Sequence, residues 1–175
     1  MALKDTHRSQ RTSQWPAWAA AIWAFVFALI SLYWTLGDEI GLGTLAESLQ
    51  EQADSPDAGF VVLMWANVLL KVLAGLTAVS LVTRAGAGIP RWMRLAGVWS
   101  AGILMTLYGV AATVEKVLIL AGVLEMPSAM SATSVRWALF LWDPFWTLGG
   151  VLFLIAAWRF WKKREYIPAV VPEGD

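Results

Sequence analysis

Apolar and polar positions do not alternate along this chain; the apolar ones gather in four long blocks separated by short polar stretches. The blocks run about Trp15 to Leu36, Phe60 to Thr83, Trp92 to Leu120 and Val135 to Trp161. A bilayer core of ~30 Å takes roughly 20 helical residues, so each block is long enough to cross one. A single segment in hydrocarbon can satisfy its own backbone hydrogen bonds only as a helix. The pattern predicts an all-α polytopic membrane protein built as a four-transmembrane-helix bundle. Its organisation is then a tail over 1–14, the helical domain over 15–161 with a loop at 37–59, and a second tail over 162–175. The first block is longer than a signal-peptide core and no small-residue cleavage pattern follows it, so it reads as a retained span.

Charge adds an orientation. Of the 13 basic residues, 10 fall in the N-terminal tail (Lys4, Arg8, Arg11), the turn between spans two and three (Arg84, Arg91, Arg94) and the start of the C-terminal tail (Arg159, Lys162, Lys163, Arg164). The loop between spans one and two, "GDEIGLGTLAESLQEQADSPDAG", holds six acids and no base. Loop Lys/Arg bias places both termini in the cytoplasm and the acidic loop outside the plasma membrane. Tryptophans near the span ends, such as Trp15, Trp92 and Trp161, fit an interfacial belt. Within the acidic loop, Thr44 and Glu47 have capping-box spacing, compatible either with a short surface helix or with an irregular connector.

Composition then narrows the chemistry. The formal net charge is zero, so no basic field points to nucleic acid as a partner. With no cysteine there is no disulfide, thiolate metal site or dithiol relay. The one histidine, His7, lies in the N-terminal tail, so a bis-histidine haem is excluded. "RAGAGIP" (Arg84 to Pro90) is a turn between spans rather than a phosphate loop. No cofactor is called for.

The informative residues are polar ones in the wrong solvent. Lys71 falls near the middle of the second span, where a charge costs at least ~2.5–3.5 kcal/mol and is expected to face the bundle interior. Asn67, four residues earlier, shares its face. Helical side chains lean toward the helix N-terminus, which aims this ammonium at the acidic-loop side. On the fourth span Asp143 precedes Pro144, with Thr147 on its face and Arg136 seven residues above. Proline removes a backbone donor, so a kink with a freed carbonyl is expected here. The third span supplies Glu115 with Tyr108 on the same face; the first supplies Ser31, Thr35 and Asp38. In each span this polar stripe occupies the acidic-loop half, so the four converge on an outward-facing pocket rather than a pore. Trp34, Trp142 and Trp146 would be its aromatic walls. A bland account stands beside each: Lys71–Asp143 as an ion pair fixing helix register, and Glu115 with Lys116 as the headgroup end of a long helix. The small residues Ala20, Ala24, Ala28, Gly97, Ala101, Gly109 and Thr113 have the spacing of close helix contacts.

At "SLYWTLG" (Ser31 to Gly37) and "LWDPFWTLGGVLFLIAAW" (Leu141 to Trp158) the chain resembles a family of small actinobacterial four-helix membrane proteins of unknown function. The resemblance runs from the first span through the fourth and implies a compact four-span fold, but no activity and no site residue. Three functions follow from the residues themselves. The leading one is a binding or transport-related protein whose pocket takes a small amphipathic or lipid-like ligand. The second is an accessory subunit whose loop meets a membrane-protein partner. The third, an intramembrane lipid or isoprenoid enzyme, rests on architectural analogy alone.

Overall fold

The computed structural model describes residues 14–38, 41–128 and 130–162. The expected tails, with Lys4, His7, Arg8, Arg11, Lys163 and Arg164, and Glu39 of the acidic loop lie outside these residues.

All described regular structure is helical. In chain order α1 is Trp15–Thr35, α2 Glu47–Asp54, α3 Ala58–Ser80, α4 Arg91–Leu120, α5 Ala132–Trp137 and α6 Asp143–Lys162. A π-helical turn, Ala138–Trp142, joins α5 to α6 without a break. Four helices, counting Ala132–Lys162 as one, are long and apolar enough to cross a membrane. Their ends lie within three residues of those expected from the apolar blocks. The short helix α2 occupies the acidic loop.

Local chemistry sets the boundaries. Pro16 sits in the first turn of α1, where its missing N–H costs nothing. Asp57 caps α3 by accepting from the Phe60 N–H at 2.7 Å. The two helices that climb toward the acidic loop stop in the same way. After α1 the Gly37 N–H donates to Trp34 and the Asp38 N–H to Tyr33; after α4 the Gly122 N–H donates to Ile119 and the Val123 N–H to Leu118. Gly37 and Gly122 hold the left-handed φ (94° and 72°) that this Schellman ending requires. The expected Thr44–Glu47 capping box does not form. Ala46 is the N-cap of α2, and the box is made instead by Ser131 and Ser134 at the start of α5.

The expected kink at Pro144 takes a different form. The Asp143 N–H donates to the Ala138 carbonyl five residues back, and Asp143 keeps helical angles (φ −66°, ψ −45°). A wider turn just before the proline absorbs the missing donor, so the helix continues. Its consequence is rotational. One extra residue per turn moves everything above it around the axis relative to an unbroken helix, and Arg136 is exposed rather than aligned with Asp143.

Packing is tightest along two seams, α1 with α3 and α4 with α6, while α1 with α6 and α3 with α4 touch less extensively. Small residues make the seams. Ala20, Ala24 and Ala28 are buried on α1, and Ala74, Gly75 and Ala78 on α3. On α4 the buried residues are Val98, Gly102, Met105, Gly109, Ala112, Lys116 and Ile119, a strict alternation of four- and three-residue steps. A Cβ at Gly109 would lie 2.7 Å from the Thr147 nitrogen of α6, and one at Gly150 would lie 2.5 Å from the Thr106 nitrogen of α4. For helices long enough to cross a bilayer, such close backbone approach supplies the dispersion contacts that lipid-like surroundings do not otherwise reward. Trp23 lies across Gly149 and packs on Phe27 and Phe145, with ring centroids 5.2 and 5.0 Å away.

The opposite end of the bundle is basic. Arg91 donates to the Phe160 and Trp161 carbonyls at 2.8 and 3.1 Å, and Arg94 donates to the Ser80 carbonyl at 3.1 Å. These are carbonyls in the last turns of α6 and α3, which no further helical N–H can reach. Residues read from the sequence only as topology charges therefore also tie three helices together.

Candidate functional site

The four long helices part at the acidic-loop end and enclose a cavity of about 440 Å³. Its walls are aromatic and apolar: Phe27 and Trp34 from α1, Phe60 and Met64 from α3, Trp142 and Trp146 from the fourth span. The loop roofs it with Leu45, Ala46, Leu49 and Ala53. Its floor and sides carry Lys71, Lys116 and Asp143, only 4%, 9% and 4% exposed.

Each charged side chain has a distinct setting. Lys71 Nζ donates to Ser31 Oγ on α1 and sits 3.6 Å from the centroid of the Phe27 ring, so a hydroxyl and an aromatic face hold the ammonium. Lys116 pairs with the Glu115 carboxylate at 2.9 Å. Asp143 has one carboxylate oxygen, Oδ2, buried with no hydrogen-bond partner among the described residues. Its own carbonyl accepts from Thr147 at 2.9 Å. Lys71 and Asp143 face the same space but form no ion pair with each other, being more than 4.0 Å apart. The register-fixing pair considered from the sequence is therefore not made.

Two polar contacts hold the roof. Trp142 Nε1 donates to Thr44 Oγ1 at 3.1 Å. Glu47 Oε2 accepts from the Ser131 N–H at 3.0 Å and the Ser134 hydroxyl at 3.1 Å, tying α2 to the N-terminus of α5. The hydrogen bonds from Ser131, with smaller help from Ser134, hold the Glu47 carboxyl below the usual glutamate range.

Of the residues singled out in the sequence, Lys71, Asp143, Asn67, Tyr108, Trp34, Trp142 and Trp146 line this cavity. Thr35 and Asp38 line a separate recess of about 100 Å³, which shares Trp34 and Phe60 with the main one. Thr35 turns its hydroxyl back to the Ser31 carbonyl. Thr147 is spent on the α4–α6 seam beside Gly109. Glu115 is exposed and reaches the site only through Lys116, and Arg136 is exposed and apart from it. Lys116, Phe27 and Glu47 belong to the cavity or its roof and were not among the candidates. The four-three step of buried residues on α4, with Gly102, Gly109 and Ala112 in it, runs directly into Lys116, and that signal was present in the sequence.

No curated protein and no solved structure matches the chain significantly. One family model does, over residues 24–153, which contain every cavity residue named above. With well over half its length matched, the chain belongs to the family described as protein of unknown function (DUF3995).

Proposed function

We propose that this is a four-span plasma-membrane protein, both termini cytoplasmic, that binds a small amphipathic or lipid-like molecule in a cavity opening toward the exterior. The observation that carries the reading is the cavity itself. Three ionisable side chains from three helices turn inward onto a space walled by aromatic rings, at a depth where lipid would be the alternative surroundings. Charges in such a position are costly and are kept where they meet partners, water or a ligand. A purely structural role would pair Lys71 with a carboxylate, and its ammonium instead has a serine hydroxyl and a ring face. Concave, mostly apolar space with a few convergent polar groups is the usual form of a small-molecule site.

The test is co-purification. Protein extracted in mild detergent and analysed by native mass spectrometry should carry a bound amphipath. Lys71→Met should lose it while unfolding at a similar temperature. Wild-type protein that carries no such species, and is stabilised by no added amphipath, would refute ligand binding.

A further inference from the structure

We infer that the cavity selects an uncharged single-chain alcohol, its terminal hydroxyl donating to the Asp143 carboxylate and accepting from Lys71. The inference rests on the ligand-binding reading above and names the ligand class. Three independent observations converge on it.

The first is the unmet valence. Asp143 is 4% exposed, lines the cavity and has an oxygen without a donor. A buried acceptor left in this state is destabilising, so a hydrogen-bond donor to this carboxylate is favoured. Lys71 has three N–H groups; one goes to Ser31 Oγ and the Phe27 face occupies another direction, leaving a donor for the cavity. A hydroxyl is both donor and acceptor, so one group can answer both.

The second is the charge lining. An ammonium head drawn to Asp143 would enter a space bordered by the Lys71 and Lys116 ammoniums. A carboxylate or phosphate head drawn to the lysines would meet the Asp143 carboxylate, and Lys116 already has Glu115 at 2.9 Å. Either charge brings a like-charge contact into a site of low dielectric. A neutral head brings none.

The third is size. A cavity of about 440 Å³ lies in the lower half of the ~300–1,000 Å³ range of small-molecule sites. That suits one alkyl or prenyl chain. The walls offered to the chain are the rings of Phe27, Trp34, Trp142 and Trp146.

The full chain reconstituted in nanodiscs tests this with four probes of equal length: dodecanol, dodecyl methyl ether, dodecanoate and dodecylammonium. Binding is read from tryptophan fluorescence and from the unfolding midpoint. Dodecanol should bind at least tenfold tighter than each of the others, since the ether accepts but cannot donate. Asp143→Leu, which leaves no acceptor, should erase that preference, and Arg136→Gln should preserve it. If the ether equals dodecanol, or if either charged probe matches or exceeds it, the alcohol assignment falls while amphipath binding stands. If none of the four binds wild-type protein, both fall. Because the ether comparison uses the wild-type chain, a misfolded Asp143→Leu does not rescue the idea.

Discussion

Ser31 stands at the meeting point of two helices. Its hydroxyl accepts from Lys71, while its carbonyl accepts from Thr35 one turn later. Removing the hydroxyl leaves a buried ammonium with only the aromatic faces of Phe27 and Trp146, and hydrogen bonds to charged groups are worth about 1.5–3 kcal/mol. Ser31→Ala should therefore lower stability by about that amount, measured as the unfolding midpoint in detergent. Lys71→Met behaves differently. The serine hydroxyl left behind can turn to a carbonyl of its own helix, and a mid-span charge worth at least ~2.5–3.5 kcal/mol of insertion cost disappears. Equal or higher stability is expected, measured in the same way. A large loss on Lys71→Met would mean that the ammonium holds the bundle together.

Among the helices, the α4–α6 seam leaves no room for an added carbon at Gly109. Gly109 faces backbone atoms of α6, so a methyl group there must push the helices apart. Overpacking of this kind costs about 1–3 kcal/mol. Gly109→Ala should fall in that range, whereas Gly88→Ala, with nothing within 4 Å of the added carbon, should stay within about 0.5 kcal/mol. The roof helix α2 has no buried residue of its own and depends on Glu47 and Thr44 for its position. Because the folded state depresses the Glu47 carboxyl, its contribution is complete above the ordinary glutamate value. It is lost as pH falls through the lower folded value. Hydrogen-exchange protection of residues 44–54, taken relative to the intrinsic rate at each pH, should therefore fall in acid, and Glu47→Gln should lower it at neutral pH. A segment equally protected across that range would show that the apolar roof contacts alone suffice.

For the molecule as a whole, the distribution of exposed side chains is that of a body solvated by apolar surroundings. Leu69, Leu70, Leu73 and Leu76 of α3 are all more than half exposed, and the polar contacts gather at the two ends and in the cavity. The absence of cysteine makes topology directly measurable. A single cysteine at Gln52, exposed in α2, should react with an impermeant maleimide on intact cells; one at Ala87, exposed in the opposite turn, should react only after permeabilisation. The reverse pattern would invert the protein and turn the cavity to the cytoplasm.

Hydropathy by itself determined the number of long helices and their ends to within three residues, because burial in an apolar medium sums locally along the chain. It also located the polar stripe in the half nearest the acidic loop. Rotation about each helix axis was decided only by the tertiary structure. Glu115 and Lys116 are adjacent, and packing against α6 turned the lysine inward and left the acid exposed. Arg136 was read as sharing a face with Asp143, and the π turn between them rotated it out of line. Nor could spacing tell that Lys71 would settle on Ser31 and Phe27 rather than on Asp143, or that Glu47 would cap a helix 84 residues later in the chain. Such pairings depend on which surfaces meet in space, and no local pattern along a chain encodes that.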